Sequence, residues 1–156
     1  MREIKEIIVH CTATPENRDV TVADVRCWHK ERGFKDIGYH YLIKLDGTVC
    51  AGRPESQIGA HCKGHNAQSI GVAYVGGLDR TGKAKDTRTP MQKMALRSLL
   101  KTLLNKYPGA RVLGHRDTSP DLDNSGIVEP DEWIKDCPCF DALKEYFYLS
   151  EEPARD

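Results

Sequence analysis

The chain has 156 residues, a length that suits one compact domain and would be cramped for two. Lysine plus arginine total 23 and aspartate plus glutamate total 23, so the basic excess of a general nucleic-acid binder is missing. Hydrophobic residues make up 39%, enough for a core, and no apolar run approaches membrane-spanning length, so a disordered chain and membrane insertion are both excluded. The segment MREIKEIIVH lacks the apolar stretch and cleavage site of a secretory signal, so synthesis in the cytoplasm is expected. Six cysteines are then expected to be reduced and mostly buried as small hydrophobes. Cys137 and Cys139 are separated by one residue, not the two of a zinc-finger or redox pair.

Ile4–His10 reads as a buried strand, with three consecutive β-branched residues, Ile7, Ile8 and Val9. Thr21 and Asp24 have the spacing of a capping box, which predicts a helix to Arg32 that Gly33 stops. Tyr39–Lys44 and Thr48–Ala51 flank Asp46-Gly47, a strong hairpin signal, and Ile70–Val75 reads as a further strand. Thr89-Pro90 with Gln92 predicts a second helix start. Met94, Leu96, Leu99, Leu100, Leu103, Leu104 and Tyr107 then recur at helical spacing until Pro108-Gly109. Arg111–Gly114 reads as a short strand and Phe140–Tyr148 as a last helix, before a tail over 149–156. The order β-α-β-β-β-α-β-α predicts an α/β single domain over 1–148, with a mixed central sheet flanked by helices, and says nothing of function.

His10 ends the first strand, His115 follows the last, and Cys137 precedes the final helix. Strand ends are where a sheet gathers sequence-distant side chains. Two imidazoles and a thiolate suit Zn²⁺ and leave a fourth position to water. Spacing alone does not establish this, since a single histidine at a strand end is more often a satisfied polar residue than a ligand.

The segments VHCTAT at 9–14, GYHYLIKLDGTVCAGR at 38–53, SIGVAYVGG at 69–77, GHRD at 114–117 and CPCFD at 137–141 sharpen that choice. Together and in this order the chain resembles the zinc N-acetylmuramoyl-L-alanine amidases, which include phage lysozymes of amidase type and peptidoglycan recognition proteins. The resemblance runs from about Ile4 to Tyr148. It implies zinc on His10, His115 and Cys137, with Tyr39 beside the metal and Lys135 as a catalytic lysine. It also implies cleavage of the amide between the lactyl group of N-acetylmuramic acid and L-alanine in peptidoglycan. Such an amide is a poor electrophile with a poor leaving group, which is why metal, lysine and tyrosine belong together.

His61 resembles a position lining the family's substrate groove, and Arg53, Lys63 and Asn66 are expected to meet peptide carboxylates or sugar hydroxyls. His40 alternates with Tyr39 along a strand and is expected to be structural; His29 is read as a surface or packing residue. Cys139 is near enough in sequence to compete for zinc in a damaged site. Between His115 and Cys137 the chain is several residues longer than the phage lysozymes suggest. There Asp121, Asp123, Ser125, Ile127 and Glu132 have the spacing of an EF-hand Ca²⁺ loop, with Gly126 at the sixth position. The same residues also suit an acidic surface turn. If calcium binds, its role is structural. The expected partner is peptidoglycan or a muropeptide, met by a monomer after release to the cell wall or during recycling. A non-catalytic peptidoglycan-binding module is the alternative, and a regulatory partner protein a further one.

Overall fold

Ile7, Ile8 and Val9 are all fully inaccessible to solvent, which requires a strand covered on both faces. In a computed structural model of the chain, which describes residues 2–119 and 136–151, they form β1 (Glu6–Cys11), the strand second from one edge of a five-stranded sheet. The other members are β3 (Tyr41–Ile43), β4 (Val49–Ala51), β5 (Ser69–Tyr74) and β7 (Arg111–Gly114), in the order β4-β3-β5-β1-β7. β1 runs parallel to both β5 and β7, β3 runs parallel to β5, and β3 and β4 form the antiparallel hairpin. The sheet is mixed, as expected. Its hairpin turns through Gly47, whose φ of +86° is left-handed backbone that glycine adopts without strain. The Asp46 carboxylate accepts from Thr48 N–H at 2.9 Å to close the turn.

Helix α1 (Val22–Glu31) starts at the Thr21–Asp24 capping box, and α2 (Pro90–Lys106) at the Thr89–Gln92 box. They cover opposite faces. Val25 of α1 packs with Val20, Ile37, Leu42, Ala73 and Val75. Leu96, Leu100 and Leu103 of α2 pack with Ile7, Val9, Ile70, Val72 and Tyr74. Burying a leucine side chain in such a core contributes about 1.5–3 kcal/mol relative to exposing it.

The helical stripe differs from expectation in one respect. Met94 is 69% exposed, and Gln92 is fully buried in line with Leu96, Leu100 and Leu103. Its amide donates to the carbonyls of Ile43 and Val75, so a polar residue occupies a core position because the sheet offers it two acceptors. The last helix, α3 (Ala142–Tyr146), is shorter than expected because Asp141 caps it, accepting from Lys144 N–H at 3.0 Å; a 3₁₀ turn, Phe147–Glu151, follows. Leu149 is buried in the core, so the expected tail is anchored at its start; residues 152–156 lie outside the described residues.

A two-residue parallel pair, β2 (Thr14–Pro15) with β6 (Gly77–Leu78), was not expected. Two residues carry no periodicity to detect. The cysteines are free thiols, with Cys11 and Cys62 buried, Cys50, Cys137 and Cys139 half-buried and Cys27 exposed on α1, so burial is less general than expected. Among the described residues no helix is long and apolar enough to cross a membrane.

Candidate metal centre

β1 and β7 pair with Val9 opposite Gly114, so His10 and His115 emerge side by side at one end of the sheet. Their ring centroids are 4.7 Å apart. Alternation directs Ile7, Val9 and Cys11 toward α2 and His10 to the other face. On that face the neighbouring strand carries only Gly71 and Ala73 opposite Ile8 and His10, which leaves room for imidazole rings.

Cys137, ahead of α3, reaches the same point, with Sγ 3.8 Å from Nδ1 of His10. One donor atom each from His10, His115 and Cys137 lies within 4.8 Å of the others, the one such cluster of three among the described residues. Two imidazoles and a cysteine sulfur are a donor set that suits a catalytic zinc site, so these residues fit the ion.

The segment carrying Cys137 is firmly tied. Tyr74 hydroxyl donates to the Pro138 carbonyl at 2.6 Å, and Arg116 N–H donates to the Cys137 carbonyl at 2.8 Å. Arg88, buried, lies 3.4 Å over the Phe140 ring and pairs with Asp86 and Glu145. A desolvated cation–π contact of this kind contributes about 2 kcal/mol. The backbone N–H of Cys11 donates to Cys137 Sγ at 3.2 Å, which holds the sulfur in place. Cys139 Sγ lies 3.9 Å from Cys11 Sγ and outside the three-donor cluster. The contact with Cys137 first, opposed by that with Cys139 and reinforced by burial, pushes the Cys11 thiol above its usual range, and the contact with Cys11, then burial, does the same for Cys139.

Tyr39 stacks obliquely on His10 at 5.2 Å between centroids, with His29 against its other side at 5.2 Å. Burial, then the nearby Cys137 and Cys11, pushes its phenol well above the usual range, so it stays protonated.

The expected substrate contacts need correction. His61 is buried behind His10, with Nδ1 2.8 Å from His10 Nε2, so it does not line an open groove. Burial, reinforced by His40 and His115, lowers its pKa to about 3. Arg53 is also buried, its guanidinium donating to the carbonyls of Ile37, Ile58 and Asp36, which leaves it braced within the protein and not offered to a ligand. Asn66 accepts from the N–H groups of His61 and Cys62, both at 2.9 Å, and so shapes the loop. Lys63 is exposed. His40 is buried and structural, its Nδ1 accepting from Gly71 N–H at 3.0 Å. Lys135 and the 121–132 segment expected to bind calcium, with Asp121, Asp123, Ser125, Ile127 and Glu132, lie outside the described residues.

Two participants escaped sequence reasoning. The Cys11 N–H is backbone and leaves no side-chain signal. The environment of His61 had one: Gly71 sits inside a strand, where glycine marks close approach by another group.

A family model described as N-acetylmuramoyl-L-alanine amidase matches residues 1–131, ending short of Cys137. The endolysin of Escherichia phage T7 is 47% identical over 145 residues, covering 93% of this chain and 86% of the phage protein. The endolysin of Klebsiella phage KP32 is 43% identical over 150 residues, covering 96% and 89%. Among solved structures, the N-acetylmuramoyl-L-alanine amidase LysC from Clostridium intestinale superposes with a TM-score of 0.72 at 28% identity, over 96% of this chain and 86% of that one. A Drosophila peptidoglycan recognition protein shares the fold with a TM-score of 0.71 at 24% identity, over 100% and 86%. With a His-His-Cys cluster at its strand ends, the chain belongs to the N-acetylmuramoyl-L-alanine amidase family of zinc enzymes.

Proposed function

We propose that this chain hydrolyses the amide joining the lactyl group of N-acetylmuramic acid to L-alanine of the peptidoglycan stem peptide, using zinc held by His10, His115 and Cys137. The observation that carries the reading is the convergence of those three donors within 4.8 Å at a strand end, the donor number of a catalytic zinc site. Zinc in that position supplies Lewis-acid polarisation of an amide carbonyl and activation of water near neutral pH.

The chain's own groups do the rest. The Cys11 N–H donates to Cys137 Sγ and fixes its position. Tyr39, protonated and packed on His10, donates to the oxygen that becomes negative during attack. Lys135, two residues ahead of Cys137 in the sequence, supplies positive charge to the same oxyanion. Lys63, exposed, is positioned in the sequence to meet a peptide carboxylate. The chain is proposed to act as a monomer. The substrate places the work at the cell wall after release, or on recycled muropeptides.

Mass spectrometry of purified sacculi digested with the zinc-loaded protein tests this directly. New peptides with a free L-alanine amino terminus are expected, absent under chelation and absent with Cys137→Ser. A folded, zinc-loaded protein that binds sacculi without releasing such peptides would instead be a binding module.

A further inference from the structure

Behind His10, on the side away from Cys137, lies a polar chain that the cleavage chemistry does not use. Nε2 of His10 is 2.8 Å from Nδ1 of His61, and Nε2 of His61 is 3.2 Å from Oγ of Ser69. The His10 and His61 rings meet edge to face at 89°, centroids 4.9 Å apart. Ser69 is fully buried and His61 nearly so.

The fold is built around that second imidazole. A Cβ on Gly71, in the middle of β5, would lie 2.6 Å from Cγ of His61, and one on Gly59 would lie 2.8 Å from its Cδ2. Asn66 pins the His61 backbone N–H at 2.9 Å. Two glycines and an amide thus form a slot for one buried, polar ring, where an aliphatic side chain would satisfy packing alone.

The proton positions follow from the chemistry. Nδ1 of His10 faces Cys137 and must present a lone pair to a metal, so the ring's proton sits on Nε2. That proton is donated to Nδ1 of His61, which leaves the His61 proton on Nε2, facing Ser69. Each partner fixes the tautomer and ring angle of the one before it. From this we infer that His61, backed by Ser69, is a positioning residue that holds His10 in the metal-binding tautomer and orientation. It touches neither substrate nor metal. The inference rests on the zinc reading of His10, His115 and Cys137, and it replaces a groove-lining role for His61.

Outer partners of metal-ligating histidines typically change metal affinity by about 10–100-fold. The test uses the whole chain and reads metal binding without peptidoglycan: zinc affinity by competition with a chromophoric chelator, and the visible and charge-transfer absorption of the cobalt(II)-substituted protein. His61→Leu is expected to weaken zinc by about 10–100-fold and alter the cobalt spectrum. His61→Asn, whose side-chain oxygen can occupy the place of Nδ1, is expected to recover most of the affinity and the wild-type spectrum. Ser69→Ala, which removes a single hydroxyl and keeps the fold within reach, is expected to weaken zinc by a smaller factor. Leucine and asparagine variants that bind alike, or a Ser69→Ala protein with unchanged affinity and spectrum, would overturn the positioning role. Failure of the wild type to bind zinc at all would overturn the metal site itself, a separate result.

Discussion

His29 shows how one side chain acquires a pH dependence from its surroundings. It is 6% exposed, wedged against Tyr39 and Phe34, and its Nδ1 accepts from Gly38 N–H at 2.8 Å. Burial, then the charges of Arg32 and Arg53, lower its pKa to about 4. A histidine whose folded pKa lies below its unfolded value near 6.5 stabilises the protein fully above that value and loses the contribution as pH falls toward 4. The shift corresponds to about 3 kcal/mol. Titration of the His29 ring by proton NMR should show a midpoint near 4, and one near 6.5 would mean the ring is hydrated. At this scale the sequence was partly legible. The ligands and Tyr39 stand in motifs, whereas Arg53 was misread, because nothing along the chain announces that three carbonyls will converge on its guanidinium.

Elements were more legible than residues, because caps and turns are written locally. Both capping boxes and the Asp46-Gly47 hairpin formed where their residues predicted. What was hidden is which side of α2 faces the sheet, since Met94 fits an apolar stripe as well as Gln92 does a polar one. Gln92 wins because its amide reaches two sheet carbonyls while its side-chain oxygen accepts from Thr89 N–H at 2.9 Å. Gln92→Leu therefore strips the buried Val75 carbonyl of its side-chain donor, leaves the Ile43 carbonyl with the Val75 N–H alone and removes the acceptor of Thr89 N–H. It is expected to lower stability by about 2–4 kcal/mol in urea unfolding, despite being more hydrophobic. Met94→Gln, on the exposed face, should change stability by less than about 0.5 kcal/mol. Equal effects at the two positions would mean the helix packs in another rotation.

For the molecule as a whole, a metal on His10, His115 and Cys137 is a cross-link between regions that the unfolded chain keeps far apart. Ligand binding to the folded state alone stabilises by about 4 kcal/mol at free zinc a thousandfold above its Kd. In a domain of this size that raises Tm by roughly 8–16 °C. Calorimetry with zinc and then with chelator should show this difference, and Cys137→Ser should lose most of it. The overall architecture was readable from the alternation of strands and helices, but the sheet order was not, since pairing β1 with β5 and β7 depends on contacts across the chain. That order bears on how the protein is made. As the chain leaves the ribosome, its most apolar strand emerges near the beginning, while the partners on its two sides follow only at Ser69 and Arg111. Until then Ile7, Ile8 and Val9 have no edge to join, which makes the nascent chain a natural client for chaperones. The last ligand, Cys137, emerges later still, so a half-made copy cannot assemble the three-donor cluster and begin cutting.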